Sequence, residues 1–325
     1  MFRFVFVLLS LLAGPALAAG YAEHPGYAAF EARMVKEHGF NAQDLRRIFS
    51  SAERKDSILE AIARPAEKRL SWGEYRKIFM TDARIDGGVE FWRQNAAELA
   101  RASEKFQVPA EIVVAIIGVE TRYGGNMGSY RVIDALSTLS FDYPPRSEFF
   151  GKELEQYLIM TREQHFDPLQ LKGSYAGAMG MGQFIPSSFR AYAVDFDGDG
   201  RADIWQSRPD AIGSVANYFH RHGWTFGADV VDPARAVGKV AEDRMNPGLE
   251  PDTRVADLAG LGLESLVPLP AQEQVLPLQL DSDTGPEYWL GRHNFYVITR
   301  YNRSPLYAMA VHQLSQEIRR QYERR

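Results

Sequence analysis

The sequence predicts a mainly α-helical protein of the α+β class that carries a small β-containing insertion. Three observations support this prediction. Apolar residues recur every three or four positions through most of the chain, which is the period of an amphipathic helix. The stretch Val108–Gly125 repeats this pattern in an unusually apolar helix. From about residue 225 the sequence changes to frequent Pro and Gly with short β-type runs, so strands are expected there.

Length and composition set broad limits on the protein. The chain has 325 residues, of which 45% are hydrophobic and 24% charged, so we expect a soluble globular protein of two or three domains. A net charge of −5 provides no basic surface, so nucleic acid is not an expected partner. The chain contains no cysteine, which excludes disulfides, thiol catalysis and thiolate metal sites.

The first residues have the pattern of an export signal. Arg3 is followed by the apolar run Phe4–Ala13 and then by Pro15-Ala16-Leu17-Ala18, an Ala-x-Ala cleavage site. Cleavage after Ala18 would leave 325 − 18 = 307 residues. The apolar run is too short to span a membrane, and without cysteine a lipid anchor is not expected. We therefore expect residues 1–18 to be a signal peptide and the mature protein to be soluble outside the cytoplasm.

Residues 19–105 read as a small helical domain of mixed charge. Its helical segments are separated by breaks at Gly39, Arg64-Pro65 and Gly87-Gly88. Within this region, the segment Ser71-Trp-Gly-Glu-Tyr-Arg brings Trp72 and Tyr75 near the surface. These aromatic residues suit either a sugar-binding platform or packing in the core, and the sequence leaves both alternatives open.

One carboxyl group ends the most apolar helix of the chain. Aliphatic residues and Glu120 recur at four-residue spacing, so the carboxyl continues an apolar stripe. Pro109 suits the first turn, and Gly124-Gly125 is expected to stop the helix. Desolvation and the negative helix end both disfavour the carboxylate, so Glu120 is a candidate general acid. The alternative is a solvated Glu120 that pairs with Arg122 or with a distant base.

A glycine-rich stretch follows. Gly177, Gly180 and Gly182 would each cost a helix up to about 1 kcal/mol relative to Ala, so we expect irregular backbone that a large group can approach. No Gly-Lys-Ser/Thr follows and no strand precedes, which argues against a nucleotide. A sugar ring lying on the main chain, with hydrogen bonds from Ser174 and Gln183, is the favoured interpretation. Tight packing between helices is the alternative.

The segment that begins Asp195-Phe-Asp-Gly-Asp-Gly matches a calcium loop, with hard oxygens at positions 1, 3 and 5 and Gly at position 6. Position 12 holds Gln206 in place of the usual Glu, and Asp210 is the nearest later carboxylate that can complete the site. Clustered like charges are costly without a cation, so we expect structural Ca²⁺, with a metal-free acidic turn as the alternative. The expected ligands are Asp195, Asp197, Asp199, the Arg201 carbonyl and Asp210.

The rest of the chain divides into three parts. A helix is expected from Asp210 to His222, and because His220 and His222 lie on different sides of it, a zinc site is not expected. Residues 225–287 read as a small mixed or β domain. Residues 288–325 contain an aromatic-rich stretch and a terminal helix, Leu306–Arg324. Tyr and Asn ahead of that helix suit carbohydrate, whereas a packed tyrosine-rich loop would have the same composition.

Four segments, in this order, resemble the MltB-type lytic murein transglycosylases of bacterial cell walls. They are Gly118-Val-Glu-Thr-Arg-Tyr-Gly, Gly173-Ser-Tyr-Ala-Gly-Ala-Met-Gly-Met-Gly-Gln-Phe-Ile-Pro-Ser-Ser, Asp195-Phe-Asp-Gly-Asp-Gly and Asn294-Phe-Tyr-Val-Ile-Thr-Arg-Tyr-Asn. The resemblance implies a lysozyme-like catalytic core over residues 106–224, to which the chain returns at 288–325, with the helical and β domains beside it.

The resemblance also implies an activity and a site. The activity is cleavage of the β-1,4 bond between N-acetylmuramic acid and N-acetylglucosamine with formation of a 1,6-anhydromuramyl end and without a catalytic cofactor. Glu120 is the implied catalytic acid. The implied glycan contacts are Tyr75, Ser174, Gln183, Tyr218, Tyr301, Asn302 and Tyr307. The implied partners are peptidoglycan strands and other cell-wall enzymes, and the implied location is the periplasm, without a membrane anchor.

Two other functions remain open from the sequence. A glycosidase of the usual kind needs two carboxyls, and Asp142 and Asp167 lie in predicted turns that show no sign of an active site. A hydrolytic muramidase would therefore need a carboxylate that the sequence does not locate. A calcium-dependent glycan-binding protein without turnover is the alternative from another functional class.

Overall fold

The computed structural model describes residues 20–63 and 70–324. The predicted signal peptide and the break predicted at Arg64-Pro65 lie outside the described residues. Within them the predicted fold class is confirmed, because helices dominate and the strands concentrate in one small sheet. No helix in the described ranges is both long enough and apolar enough to cross a bilayer.

The helices before residue 107 divide between two hydrophobic cores. They are α1 Tyr27–His38, α2 Ala42–Ser51, α3 Asp56–Ala63, α4 Trp72–Phe79, α5 Asp82–Gln94 and α6 Ala96–Phe106, preceded by a 3₁₀ helix at Tyr21–Glu23. Side-chain caps start α2 at Asn41 and α4 at Ser71, which forms a capping box with Glu74. Helices α4 to α6 contribute to the first core and α1 to α3 to the second, so residues 19–105 do not share a single core.

The remaining helices fall in the part for which the resemblance implies a lysozyme-like core. They are α7 Ala110–Thr121, α8 Val132–Asp142, α9 Ser147–Glu163, α10 Pro186–Tyr192, α11 Arg208–Arg221, α12 His293–Tyr301 and α13 Pro305–Arg324, with a 3₁₀ helix at Pro144–Arg146. Two short strands, β1 Tyr130–Arg131 and β2 Lys172–Gly173, pair antiparallel. The first core lies around α7, α11 and α13, and the second around α8 and α9. Tyr301 packs against both cores and therefore lies at their junction.

The strands after residue 230 form one five-stranded antiparallel sheet in the order β4-β6-β7-β3-β5. They are β3 Val231–Ala236, β4 Thr253–Arg254, β5 Leu263–Ser265, β6 Gln274–Ser282 and β7 Gly285–Gly291, with 3₁₀ helices at Glu242–Arg244 and Val255–Leu261. The last strand continues to Gly291, beyond the expected boundary at residue 287. Leu276 and Leu278 of β6 also enter the first core, so the sheet is anchored to the helical part.

Candidate active site

The helix that carries Glu120 ends earlier than its glycines suggest. The last residue of α7 is Thr121, and Arg122 adopts a left-handed conformation with φ 52°. The N–H of Arg122 donates to the carbonyl of Gly118, and the N–H of Tyr123 donates to that of Ile117. The predicted stop at Gly124-Gly125 is therefore wrong. A non-glycine residue tolerates this conformation here because the closing hydrogen bonds and neighbouring side chains hold the turn in place.

A buried arginine anchors this last turn from another helix. Arg84 of α5 donates from its guanidinium to the carbonyl of Gly118 at 2.5 Å, and the hydroxyl of Tyr123 donates to the carbonyl of Arg84 at 2.7 Å. On the other side, the hydroxyl of Thr121 donates to the carbonyl of Met181 in the glycine-rich stretch at 2.8 Å. The turn is thus fixed at both sides. Sequence reasoning missed Arg84 because no local pattern distinguishes it from a surface arginine.

Glu120 itself is half-buried and contacts a tyrosine. The hydroxyl of Tyr307, a buried residue of α13, donates to Oε1 of Glu120 at 2.5 Å. Burial raises the pKa of Glu120 to about 7, and the Tyr307 hydrogen bond partly opposes this rise because it favours the carboxylate. No ion pair among the described residues includes Glu120, so the alternative of a carboxylate paired with Arg122 is not observed. The desolvation expected from the apolar stripe is present.

Further tyrosines surround this pair. The hydroxyl of Tyr301 donates to the carbonyl of Gly182 at 2.5 Å, and burial raises the pKa of Tyr301 and of Tyr307 well above its ordinary range, so both stay neutral donors. Tyr75 is half-buried, packs on Phe79 with ring centroids 5.1 Å apart, and contributes to the raised pKa of Tyr307. The structure therefore brings Glu120, Tyr307, Tyr301 and Tyr75 together from elements far apart in the sequence.

The other predicted residues have contacts or exposure of a different kind. Tyr218 is buried, donates its hydroxyl to the carbonyl of Arg300 at 2.6 Å, and packs on Tyr301 with ring centroids 4.7 Å apart. Asn302 is exposed at the end of α12. Trp72 is 1% exposed, so of the two alternatives for this residue the structure shows core packing.

The glycine-rich stretch accommodates the protein's own side chains. A Cβ at Gly177 or Gly180 would lie 2.5 Å from the side chain of Leu136 or Ile204, and one at Gly182 would lie 2.9 Å from the hydroxyl of Tyr301. The interpretation that these glycines leave room for a sugar ring is wrong for these three positions. They allow the irregular backbone to pack closely against Leu136, Ile204 and Tyr301. The alternative foresaw tight packing, although between helices.

Ser174 and Gln183 hold the shape of this stretch. The hydroxyl of Ser174 accepts the backbone N–H groups of Ala176 and Ala178. Gln183 has φ 52°, and its amide donates to the carbonyls of Gly180 at 3.0 Å and Met127 at 3.3 Å. Both side chains are only partly buried, so each keeps an edge that a ligand can contact.

The acidic loop has a donor set suited to a hard cation. Carboxylate oxygens of Asp195, Asp197 and Asp210 lie within 4.8 Å of one another, whereas Asp199 is outside this triple. Asp210 is fully buried in the first turn of α11 and accepts backbone N–H groups from Phe196, Asp197 and Asp203. Three carboxylates at this separation, with no nitrogen or sulfur ligand, fit Ca²⁺.

His220 in the last turn of α11 and His222 directly after the helix both lie close to backbone carbonyls. His220 Nδ1 lies 3.0 Å from the carbonyl of Phe106, and His222 Nδ1 lies 2.7 Å from that of Tyr218. Among the described residues, the carboxylate triple is the single cluster of at least three potential ligands, and neither histidine belongs to it.

Removal of the Tyr307 hydroxyl tests how burial and this hydrogen bond together set the pKa of Glu120. Tyr307→Phe deletes the hydrogen bond that favours the carboxylate, so the pKa of Glu120 should rise further. We expect the alkaline limb of the kcat/KM profile to move upward by about one pH unit, equivalent to about 1.4 kcal/mol. The matched control is Tyr218→Phe, which removes a hydroxyl bonded to a backbone carbonyl and should leave the limb in place. A limb that moves downward in Tyr307→Phe would contradict this assignment.

The fold and the half-buried Glu120, whose pKa burial raises to about 7, together define a class: lysozyme-like proteins built on two helical cores. Comparison with known families identifies the member. The family described as the transglycosylase SLT domain matches residues 22–316, and the chain belongs to this family.

Sequence and structural similarity to characterised relatives supports this membership. The membrane-bound lytic murein transglycosylase B of Escherichia coli strain K12 is 45% identical over 311 residues, which are 93% of this chain and 85% of the relative. The structure of the catenated lytic transglycosylase SltB1 from Pseudomonas aeruginosa is 53% identical, with a TM-score of 0.90, and the alignment covers 93% of this chain and 99% of that chain.

Two related structures contain ligands. The E. coli lytic transglycosylase Slt35 in complex with calcium is 46% identical, with a TM-score of 0.87 and coverage of 94% of this chain and 96% of that one. SltB3 from P. aeruginosa in complex with NAG-anhNAM-pentapeptide is 32% identical, with a TM-score of 0.81 and coverage of 90% and 78%. The predicted enzyme class is therefore confirmed: this chain is a lytic murein transglycosylase, a lyase that acts on peptidoglycan.

Proposed function

We propose that this enzyme cleaves the β-1,4 bond between N-acetylmuramic acid and N-acetylglucosamine and leaves a 1,6-anhydromuramyl end, with Glu120 as acid and then as base. The observation that carries the proposal is a half-buried carboxyl whose pKa is about 7. The forces that set this pKa are burial and the Tyr307 hydrogen bond, and no second carboxylate is among them. An acid without a carboxylate partner favours a reaction in which the substrate supplies its own nucleophile.

The proposed reaction needs one proton carrier. Glu120 donates its proton to the glycosidic oxygen, the bond from this oxygen to muramyl C1 breaks, and the acetamido group of the muramyl sugar stabilises the positive charge at C1. The C6 hydroxyl then attacks C1, and the Glu120 carboxylate accepts the hydroxyl proton. The enzyme returns to its starting state without consuming water. A pKa near the working pH suits both transfers, because neither protonation state is strongly disfavoured.

The Tyr307 contact suits this double role. Its hydroxyl occupies Oε1 of Glu120, which leaves Oε2 for the glycosidic oxygen and afterwards for the C6 hydroxyl. Around this pair we propose that the glycan is held by the predicted contacts, which are Tyr75, Ser174, Gln183, Tyr218, Tyr301, Asn302 and Tyr307. Partial exposure of Ser174 and Gln183 supports their share in binding, and buried Tyr218 would act through Tyr301.

We further propose that the acidic loop binds structural Ca²⁺ through Asp195, Asp197, Asp199, the Arg201 carbonyl and Asp210. The close carboxylates of three of these residues and the calcium bound to the related Slt35 support this proposal. The ion would fix the loop to the first turn of α11, where Asp210 lies. It takes no part in the proton transfers, and no catalytic cofactor is proposed.

For the location and the partners of the protein, we propose what the sequence predicts. We propose a periplasmic enzyme, consistent with its peptidoglycan substrate and its N-terminal export pattern. Although a relative is named membrane-bound, this chain has no cysteine to carry a lipid, so we propose an unanchored form. Other enzymes of the cell wall are the candidate protein partners.

Products distinguish this proposal from a hydrolytic muramidase. We expect mass spectrometry of a peptidoglycan digest to show muropeptides that are one water lighter than hydrolysed ones, because the C6 hydroxyl replaces water as the nucleophile. A digest in water enriched in heavy oxygen is the control, since hydrolysis would insert the label at C1 and the proposed reaction would not. Labelled, hydrated ends would reject the proposal in favour of hydrolysis, and a digest without fragments would indicate a binding protein.

A further inference from the structure

A cavity lies on α4, the helix that also carries Tyr75. It has a volume of about 340 Å³, is open to solvent on one side, and lies between α4 and the hairpin of β6 and β7. Sites for small ligands typically start near this size, at about 300 Å³. Charged side chains line it from both sides, with Arg76 and Lys77 on the helix and Asp283 and Glu287 on the hairpin. We call it the α4–hairpin cavity.

The hairpin is fixed tightly against the helix at one edge of this cavity. A Cβ at Gly73 would lie 2.6 Å from a carboxylate oxygen of Asp283, so only glycine permits this approach. Lys77 Nζ lies 2.8 Å from Asp283 Oδ2 and bridges the two elements. Asp283 also lies beside the first turn of α4, where a negative charge is favourable. The cavity is therefore a fixed feature of the interface between the helical part and the sheet.

Two opposite charges remain available in the cavity after this contact is made. Arg76 is exposed, and within the described residues no carboxylate lies within ion-pair distance of its guanidinium. Oε2 of Glu287 accepts the indole N–H of Trp289 at 3.2 Å, which leaves Oε1 for another donor. A ligand that carries both a carboxylate and an ammonium group can pair with both residues, whereas a neutral sugar cannot use either charge in this way.

The cavity is close enough to the active site to take part of the same substrate. Tyr75 adjoins Arg76 on α4, and α4 packs against α13, whose Tyr307 bonds Glu120. Tyr75 and the cavity-lining residues Arg76 and Lys77 lie on the same helix, and a helix with its side chains is about 10–12 Å across. A peptide of five residues spans up to about 16–18 Å when extended. An extended stem peptide on a muramyl sugar at Glu120 is therefore long enough to pass across α4 in the direction of the cavity.

We infer that the α4–hairpin cavity binds the stem peptide of the peptidoglycan substrate, with Arg76 on a peptide carboxylate and Glu287 on an amino group. This inference rests on the proposed function of Glu120, because that function locates the sugar to which the peptide is attached. Binding at this cavity would let the enzyme distinguish strands that carry peptides from strands that do not. The sugar contacts alone would not make this distinction.

Binding to strands with and without peptides tests the inference. Glu120→Gln protein is titrated with purified glycan strands that carry stem peptides and with the same strands after amidase treatment has removed them. We expect the peptide-bearing strands to bind about 3–10-fold more tightly, equivalent to about 0.7–1.4 kcal/mol. Adding Arg76→Gln or Glu287→Gln should remove this preference while leaving the affinity for peptide-free strands unchanged. The matched control is Arg47→Gln, an exposed arginine on α2 that should keep the preference.

Each alternative result has a defined meaning. Equal affinity of the Glu120→Gln protein for both strands, or a preference that survives Arg76→Gln and Glu287→Gln, would overturn the inference. An equal loss of affinity for both strands would also overturn it, because it would indicate a general disturbance of the fold. Release of fragments by the Glu120→Gln protein would instead count against the proposed function, and the ratio of affinities would still be measured at early times.

Discussion

Glu120→Gln is expected to lower kcat for release of fragments from peptidoglycan by about 10³-fold or more. Removing one general acid typically costs 10²–10⁴-fold, and here the same group serves both proton transfers. The amide keeps the size of the carboxyl and accepts the Tyr307 hydrogen bond, so glycan binding should persist. Initial rates on purified sacculi measure the effect. The matched control is Glu148→Gln, an exposed position on α9 that pairs with Lys152, and it should keep full activity.

The same substitution should stabilise the fold at alkaline pH. Burial raises the pKa of Glu120 from 4.5 to about 7, so the folded state holds this proton more tightly than the unfolded state. That contribution is fully present below the unfolded pKa and is lost as the pH rises through the folded pKa, a difference of about 3 kcal/mol. Glutamine carries no such proton. Denaturant midpoints at pH 8 should therefore be higher for Glu120→Gln than for the wild type, and the two should converge below pH 4.5.

A variant that is inactive but also destabilised at pH 8 would contradict this account, because its loss of activity would then reflect unfolding. A variant that is stable and still releases fragments would reject Glu120 as the acid. Only stability combined with inactivity supports the proposal. This combination is typical of catalytic groups that are held in a protonation state unfavourable to the fold.

The sequence could predict features that depend on local spacing. The apolar stripe that ends at Glu120 follows from residues four apart, and the structure shows the burial that this spacing implies. The glycine-rich stretch predicts irregular backbone from local sequence alone. Its composition does not say what that backbone contacts. Glycine would be needed equally if a sugar ring or if the side chain of Leu136 or Ile204 lay against the backbone, because either neighbour would clash with a Cβ. The sequence therefore located this feature and misassigned its cause.

Contacts across the fold could not be predicted from local patterns. Tyr307 lies 187 positions after Glu120, and Arg84 lies 34 positions before the carbonyl that it bonds. Arg84 also explains the wrong helix end, since its bond to Gly118 helps to hold the left-handed Arg122 and removes the need for glycine there. Such residues carry no local signal because their role depends on which helices the tertiary fold brings together.

Asp210 connects the local and long-range parts of the acidic loop. The sequence suggested it only as a late substitute for a missing calcium ligand, yet the structure gives it two tasks. Its Oδ1 accepts the N–H groups of Phe196 and Asp197, and its Oδ2 accepts that of Asp203, so it fixes the loop even before a cation is considered. Its carboxylate also completes the triple with Asp195 and Asp197.

Asp210→Ala is accordingly expected to lower the free energy of unfolding by about 3 kcal/mol or more. The change leaves three backbone donors without their acceptor, and an unsatisfied buried donor costs about 1–3 kcal/mol. It also removes one ligand of the proposed Ca²⁺. Thermal unfolding with and without a chelator measures both effects, and the chelator should lower the melting temperature of the wild type but have little further effect on the variant.

Asp252→Asn serves as the control, because this exposed aspartate lies outside the loop and should leave both the stability and the response to the chelator unchanged. Asp199→Asn separates the effect of metal binding from the effect of the buried hydrogen bonds that Asp210 accepts. If Asp199 coordinates the ion, as the loop pattern predicts, its substitution should weaken the stabilisation by added Ca²⁺ without exposing buried donors. A wild type that is insensitive to the chelator would reject the metal, whereas the cost of Asp210→Ala would persist, since its backbone hydrogen bonds do not depend on the ion.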